Sequence, residues 1–206
     1  MVSAVDDGVG RVMKTLATHN IEENTIVVFL SDNGGAITKN SSNNAPLRGA
    51  KSDLFEGGIR VPFALQWKGT VPAGQIFNDP VISLDILGTI AGVTQVPIAN
   101  ERPLDGVNLI PFLTGQSTGA PHDILFWRKS GRIAQAVRQG THKYVINSKN
   151  MKPALYDLSE DIDESDNLLW ANKTHAEGLI ESWEKWNANL KDCVFPTLMN
   201  DNWWER

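Results

Sequence analysis

Hydrophobic residues recur at steps of three and four at the start of the chain, and an unbroken apolar run follows them. The first pattern predicts an amphipathic helix over residues 2–18, whose apolar face is formed by Val2, Val5, Val9, Val12, Met13 and Leu16. The second, TIVVFLS at residues 25–31, is continuous rather than alternating. Continuous apolarity is typical of a strand buried on both faces, as in parallel sheets, so helix and strand together predict half of a βαβ unit.

The middle of the chain contains fewer regular patterns. Residues 34–58 are rich in glycine, asparagine and serine and predict a long irregular loop, which in a compact domain is usually functional or disordered. A second strand is predicted at 61–67 and a short apolar helix at 81–91. Residues 92–123 are predicted to form a turn-rich connection.

After residue 123 the pattern changes to short apolar runs separated by turn residues. Four strands are predicted, at 124–129, 132–139, 142–147 and 154–158, with Gly140 marking a hairpin between the second and third. This spacing predicts a small antiparallel sheet that is separate from the first. A terminal helix follows, and the apolar stripe that we expect to pack against this sheet consists of Leu179, Ile180, Trp183, Trp186 and Leu190.

Composition and charge exclude several classes of function. The chain has 206 residues, of which 41% are hydrophobic and 21% charged, as in an ordinary soluble globular protein. A net charge of -5 without clustered lysine and arginine argues against a nucleic-acid or anionic-membrane surface. No apolar run reaches the roughly 18 residues of a membrane span, and the first residues do not resemble a signal peptide. The single cysteine, Cys193, is interpreted as a packing residue and gives no evidence for or against an oxidising compartment.

Asp32 and Asn33 stand where a ligand site is expected in this kind of fold. They follow the first predicted strand directly, and ligands of open α/β sheets bind beyond the carboxyl ends of strands. Carboxylate and amide oxygens suit calcium or magnesium, and Gly34 and Gly35 allow the sharp turn that would direct both side chains into one crevice. Two ligands are too few for calcium, which takes about six to eight oxygens. A plain Asp-Asn-Gly-Gly turn, and a solvated lysine at Lys51, remain the alternatives.

Longer motifs around this segment resemble a known family. ENTIVVFLSDNGG followed by APLRGAKSDLFEGGIRVPF is similar to the second half of the sulfatases, the arylsulfatase family within the alkaline-phosphatase superfamily. The similarity continues in order through VDDGVGRVMKTL, SLDILGTIAGV, LDGVNLIPFLTG and ALYDLSEDIDESDNL. It implies an α/β fold in which residues 1–121 form the C-terminal part of an alkaline-phosphatase-like sheet flanked by helices. Residues 122–206 are then expected to form an antiparallel-sheet subdomain with a terminal helix.

The resemblance also implies roles for individual residues. The family's Asp and Asn at the positions of Asp32 and Asn33 bind the divalent cation, normally calcium with magnesium possible, and its lysine at the position of Lys51 contacts a sulfate oxygen. Cation and ammonium would neutralise the sulfuryl group and hold it for in-line attack. EGGIR at residues 56–60 fits the family pattern as a segment that shapes the loop and attaches it to the next strand.

One part of the family pattern is missing. Family members have a Cys-x-Pro-x-Arg or Ser-x-Pro-x-Arg segment in their first half, whose first residue becomes the nucleophile formylglycine. This sequence has no such segment, because Cys193-Val-Phe-Pro has the wrong spacing, and Asp6 and Asp7 are interpreted as part of a solvated helix face. We therefore expect the C-terminal half of a sulfatase, cut from a longer chain, with no nucleophile and no activity alone.

Two alternatives remain open. The first is a phosphonate or phosphate monoester hydrolase of the same superfamily, because the retained segment discriminates poorly between sulfuryl and phosphoryl groups. The second is a non-catalytic half-protein that binds calcium or a sulfated glycan. The expected partners are a sulfate-ester small molecule or sulfated glycan, and the missing N-terminal half. The family also implies a periplasmic or secreted protein, and Asn40 and Asn172 begin tripeptides of the glycosylation pattern.

Overall fold

The computed structural model describes residues 2–37, 41–99, 101, 103–129, 134–147 and 152–191. Contacts divide the chain into a first unit, Met1–Leu30 with Phe63–His122, and a second unit, Ser31–Pro62 with Asp123–Arg206. The elements in chain order are α1 (Val2–Thr18), a 3-10 helix (Glu22–Asn24), β1 (Val27–Leu30), α2 (Glu56–Ile59), β2 (Phe63–Gln66), α3 (Asp85–Thr94), α4 (Ile110–Leu113), β3 (Ile124–Lys129), β4 (Ala134–Gln139), β5 (His142–Ile146), β6 (Pro153–Asp157) and α5 (Lys173–Ala188). This combination of helices and sheets confirms the predicted α/β class.

The first unit contains a two-stranded sheet. Strands β1 and β2 pair antiparallel, with Val27 opposite Gln66 and Leu30 opposite Phe63. Strand β1 is only half-buried, and Phe29 is 46% exposed. The prediction of a parallel strand buried on both faces is therefore wrong for the described residues. An unbroken apolar run indicates a tendency towards burial, but it does not determine the direction of the neighbouring strand.

Helix α1 confirms the periodicity of its sequence, yet none of residues 2–18 is buried. Val2 is 85% exposed, and Val5 and Val12 are each 54% exposed. Met13 and Leu16, further along the same face, are half-buried. Asp6 and Asp7 lie exposed on this helix, as predicted. Within the described residues, most of the apolar face of α1 is thus open to solvent.

A buried carboxylate sets the start of α3. The prediction placed this helix at 81–91, but it begins at Asp85, whose Oδ2 accepts a hydrogen bond from the backbone nitrogen of Ile82 at 2.8 Å. This bond closes a turn in the residues before the helix. Asp85 Oδ1 also accepts from the backbone nitrogen of Val107 at 2.9 Å and lies 2.8 Å from Nε2 of His122. One side chain therefore joins the helix to two later segments of the first unit.

The second unit contains the predicted antiparallel sheet, with its strands in the order β3-β4-β5-β6. Trp127 pairs with Ala136, Ala136 with Val145, and Val145 with Ala154. Gly140 has a φ of +58° between β4 and β5, which confirms the predicted hairpin. Residues 132 and 133 of the predicted second strand lie outside the described residues.

Helix α5 covers this sheet with the predicted stripe. Leu179 and Trp183 are almost fully buried, and Trp186 stacks on Phe126 with ring centroids 5.0 Å apart. Leu190, the last predicted member, lies beyond the helix and is 37% exposed. In the described part of the chain, every helix is too short or too polar to cross a bilayer. Predictions for Asn40 and Cys193 concern positions outside the described residues.

Candidate functional site

Asp32 and Asn33 form a bend directly after β1. The hydroxyl of Ser31 donates to the carbonyl oxygen of Asn33 at 2.9 Å, which helps to turn the chain away from the strand. Asp32 is exposed and Asn33 is half-buried. Within the described residues, no hydrogen-bonding partner is found for either side chain. Both can therefore offer oxygens to a ligand without losing an existing contact.

Gly34 and Gly35 are required at this bend because other chain segments approach them closely. The Gly34 nitrogen donates to the carbonyl oxygen of Gly58 at 3.0 Å, and a methyl group on Gly34 would overlap the carbonyl oxygen of Gly57. Gly35 is bracketed by Asn44, which accepts from its nitrogen at 2.9 Å and donates to its oxygen at 3.0 Å. Neither glycine has a left-handed φ, so the close approach of other chain segments, and not an unusual backbone conformation, is what requires glycine at these two positions.

Lys51 lies in a second turn that is bonded to the first. Its backbone nitrogen donates to the carbonyl oxygen of Gly35 at 3.1 Å, although the two residues are far apart in sequence. The next residue, Ser52, has a φ of +78°, which is uncommon without glycine. Asp53 Oδ2 accepts from the backbone nitrogen of Ala50 at 3.0 Å and closes the turn. The Lys51 side chain is exposed, with no ion pair to any described residue.

Helix α2 packs behind these two turns. Glu56, Gly57 and Gly58 are buried, and the Gly57 nitrogen donates to the carbonyl oxygen of Arg48 at 2.6 Å. Side chains at either glycine would meet backbone carbonyl groups. This packing agrees with the interpretation of EGGIR as a segment that shapes the loop. Arg60, at the end of α2, is exposed.

The C-terminal sheet also holds this segment in place, which was not predicted from the sequence. Lys143 on β5 is fully buried, and its Nζ lies 2.8 Å from Glu56 Oε1 and 2.9 Å from Glu164 Oε1. Directly after this strand, Asn147 Nδ2 donates to Asp53 Oδ1 at 3.2 Å. A lysine within the apolar run KYVI was the available signal, because a charge in a buried strand needs a partner.

Burial also acts on the acidic member of this cluster. The pKa of Glu164 is raised above its ordinary value because its carboxylate is removed from water, although the nearby ammonium of Lys143 opposes the shift. The backbone nitrogen of Glu56 donates to Glu164 Oε2 at 2.6 Å and favours the charged form. The cluster therefore holds α2 by charge and by a backbone hydrogen bond.

The described residues fit a divalent cation only in part. The oxygens of Asp32 and Asn33 are the donor type that calcium and magnesium prefer. Among the described residues there is no group of three or more histidine, cysteine, aspartate or glutamate side chains able to hold a metal ion. A calcium site would therefore need most of its six to eight oxygens from other groups.

The fold and the sequence both lead to one family. The sequence profile of the family described as Sulfatase matches residues 1–96. In structure, Ps i-CgsB is similar with a TM-score of 0.84 and 32% identity, over 95% of this chain and 44% of that chain. A second structure of Ps i-CgsB contains k-i-k-neocarrahexaose. The fold class is that of the alkaline-phosphatase-like sulfatases.

Curated relatives agree with this assignment. Human steryl-sulfatase is 33% identical over 132 residues, which are 61% of this chain and 23% of the relative. The N-acetylgalactosamine-6-sulfatase of Sus scrofa is 34% identical over 146 residues, which are 69% of this chain and 27% of the relative. This chain belongs to the sulfatase family, and it spans about a quarter of the length of these two relatives.

Proposed function

We propose that the chain supplies part of the cation and sulfate site of a sulfuric ester hydrolase. The observation that supports this most strongly is the pair of backbone hydrogen bonds that brings the Asp32-Asn33 bend and the Lys51 turn together, from Gly34 to Gly58 and from Lys51 to Gly35. A simple solvated turn would not require hydrogen bonds to a second segment of the chain. The two bonds support the proposal because they hold the backbone segments that carry Asp32, Asn33 and Lys51 next to each other within the second unit.

Each residue has a distinct part in this proposal. Asp32 and Asn33 bind the divalent cation, calcium with magnesium as the substitute, through side-chain oxygens that have no other partner among the described residues. The bound cation supplies positive charge to the sulfuryl oxygens. Lys51 binds a sulfate oxygen through its ammonium group and opposes the charge that develops there in the transition state. The nucleophile, formylglycine, is expected outside these residues, so the chain alone binds without turnover.

The substrate is proposed to be a sulfate ester carried by a glycan. The support for this class is the likeness to Ps i-CgsB, which has been solved with k-i-k-neocarrahexaose. The N-terminal half of the same protein is proposed to complete the site. It would also cover the apolar face of α1, where Val2 and Val5 are largely exposed. In this proposal, the N-terminal half also supplies the remaining ligands of the cation.

Binding of inorganic sulfate in the presence of calcium tests the part assigned to Lys51. The chain and its Lys51→Met variant are titrated with sulfate by calorimetry, with Lys14→Met, an exposed lysine of α1, as the matched control. We expect Lys51→Met to lose at least about tenfold in affinity, a loss of about 1.4 kcal/mol, and Lys14→Met to behave as wild type. Equal binding by all three proteins would contradict the proposal.

The monoester-hydrolase alternative and the expected inactivity of the chain are tested by separate measurements. Titration with a phosphonate in place of sulfate measures the preference between the two anions, and tighter phosphonate binding would favour the monoester hydrolase. An aryl sulfate and a sulfated oligosaccharide are then assayed with the chain and calcium. We expect no hydrolysis above buffer, because the nucleophile is missing. Turnover that survives purification and is lost in Lys51→Met would overturn the claim of inactivity.

A further inference from the structure

The buried charges of the second unit are not used by the proposed function. Lys143 has a fully buried side chain between the carboxylates of Glu56 and Glu164, at 2.8 and 2.9 Å. Arg138 approaches Glu56 from the neighbouring strand, at 3.6 Å. A buried ion cluster is weak evidence for stability, because apolar residues of similar size often stabilise a protein equally well. A contribution to the stability of the fold is therefore not enough to explain why these charged residues are buried here.

Glu164 is the most constrained member of this cluster. Its φ is +53°, a left-handed conformation that non-glycine residues adopt rarely and that persists where the surroundings determine it strongly. Its carboxylate accepts from the backbone nitrogen of Glu56 at 2.6 Å. Its carbonyl oxygen accepts from Arg48 Nη1, also at 2.6 Å. Through its carboxylate and its carbonyl oxygen, Glu164 thus contacts Glu56 and Arg48, which lie on either side of the Lys51 turn in the sequence.

A short chain of contacts leads from Glu164 to the proposed cation ligands. The nitrogen that Glu164 holds is the first of α2, and the carbonyl oxygen of Gly58, in the same helix, accepts from Gly34 at 3.0 Å. Gly34 immediately follows Asn33. The two segments pack closely here, because a methyl group on Gly34 would overlap the carbonyl oxygen of Gly57. A shift of α2 would therefore move the backbone that carries both ligands.

We propose that Glu164 is a positioning residue, which holds α2 through Glu56 and so sets the backbone of Asp32 and Asn33 for cation binding. The inference rests on the proposed cation site. Lys143 and Arg138 together balance the charge of the two carboxylates that this arrangement brings together, and Arg48 bonds the carbonyl oxygen of Glu164. Residues beyond the direct ligands of a metal commonly change its affinity by about 10- to 100-fold, because they orient those ligands.

The test combines hydrogen exchange with calcium affinity in the 206-residue chain. Exchange of the Gly34 amide hydrogen is measured by NMR without calcium, and calcium binding is then measured by calorimetry. The variants are Glu164→Ala, which removes the acceptor of the Glu56 nitrogen, and Glu164→Gln, which retains an acceptor oxygen. Arg48→Met is included because it alters a half-exposed contact to Glu164 and should fold even if Glu164→Ala does not. Trp183→Phe is the control, since Trp183 lies in the apolar cluster beneath α5, which is separate from the cluster that contains Leu54 and Phe55 beside α2.

We expect Glu164→Ala to accelerate Gly34 exchange by about tenfold and to weaken calcium binding by about tenfold. Arg48→Met should accelerate exchange by about threefold, and Glu164→Gln should stay within about threefold of wild type. Trp183→Phe should lower the unfolding midpoint without a selective change at Gly34. Unchanged Gly34 exchange in Glu164→Ala, or in Arg48→Met if the former does not fold, would overturn the proposal. So would an equal change in Trp183→Phe.

The exchange measurement separates this inference from the proposed function. If the wild-type chain binds no calcium, the proposed cation site fails. Gly34 exchange still decides whether Glu164 holds the bend, because the measurement is made without calcium. If calcium binds and Gly34 exchange does not respond to Glu164, the cation site stands and the positioning role is wrong.

Discussion

The two units of the chain differ in how completely each buries its own apolar residues. In the second unit, Val137, Leu155 and Trp183 have no exposed surface, and the sheet takes part in two apolar clusters, one with α5 and the other with residues 54 and 55 before α2. In the first unit, Val2 and Leu87 remain 85% and 57% exposed on α1 and α3, two helices that the sequence predicts. Apolar periodicity therefore predicts a helix and its apolar face, whereas the burial of that face also depends on another element that packs against it.

The arrangement of the strands explains part of this difference. Strands β3 to β6 follow one another in sequence and pair in the same order, so local contacts suffice to build the sheet. The first unit has two strands that are separated by the whole segment 31–62. The exposed apolar surface of the first unit agrees with the finding that the chain spans about a quarter of the length of two curated relatives.

Truncation of apolar side chains should give the largest contrast between the units. Trp183→Ala is expected to lower the free energy of unfolding by about 3–5 kcal/mol, because it leaves a cavity in the core and removes a hydrogen bond to Trp127. Val5→Ala on α1 should change it by less than about 0.5 kcal/mol. Urea denaturation of both variants measures the difference. Similar losses would show that the apolar face of α1 is buried in solution.

Glycine substitutions should give opposite signs in the two units. Gly34→Ala is expected to destabilise the chain by about 1–3 kcal/mol, because the added methyl group overlaps the carbonyl oxygen of Gly57. Gly8→Ala on α1 should stabilise it by about 0.5–1 kcal/mol, because the site is open and alanine favours a helix. Thermal unfolding of both variants provides the measurement. A neutral Gly34→Ala would contradict the close packing at the bend.

The pH dependence of stability should show a smaller effect that is specific to the second unit. Because the pKa of Glu164 is raised in the folded state, the folded chain binds more protons at this group than the unfolded chain does. Its contribution to stability is thus largest below the ordinary pKa of 4.5 and declines as pH rises towards the raised value. Glu164→Gln should remove this decline when unfolding is compared between about pH 4 and 7.

The matched comparison for this titration is Asp7→Asn on α1. Asp7 is exposed on the helix surface, so its replacement should leave the shape of the pH profile as it is in wild type. A profile that keeps its decline in Glu164→Gln would assign the effect to another group.

Most of the elements could be predicted from the sequence, and the reasons are local. Residues of α1 repeat at helical spacing, and the strands of the C-terminal sheet alternate with turn signals such as Gly140. The direction of β1 could not be predicted, because an apolar run does not specify the neighbouring strand. The start of α3 could not be predicted either. It depends on a turn that is closed by the side chain of Asp85, which also bonds to distant segments of the chain.

The candidate site was only partly predictable for a similar reason. Asp32, Asn33 and Lys51 could be selected from motifs, and the structure joins their turns by backbone hydrogen bonds. The roles proposed for them stay predictions. The support from Lys143 and Glu164 could not be predicted, because both lie about a hundred residues beyond the turns they hold. Long-range ion contacts leave little periodic pattern in a sequence.

Calcium titration of the chain shows directly whether Asp32 belongs to a cation site. Wild type, Asp32→Ala and the control Asp7→Ala are titrated with calcium by calorimetry, and unfolding is followed in parallel. We expect weak binding to wild type and to Asp7→Ala, with a stabilisation of about 2.7 kcal/mol once calcium reaches 100 times its Kd. Asp32→Ala should lose both the heat and the stabilisation. Absent binding in wild type, or equal binding in Asp32→Ala, would contradict the assignment of Asp32 to the cation site.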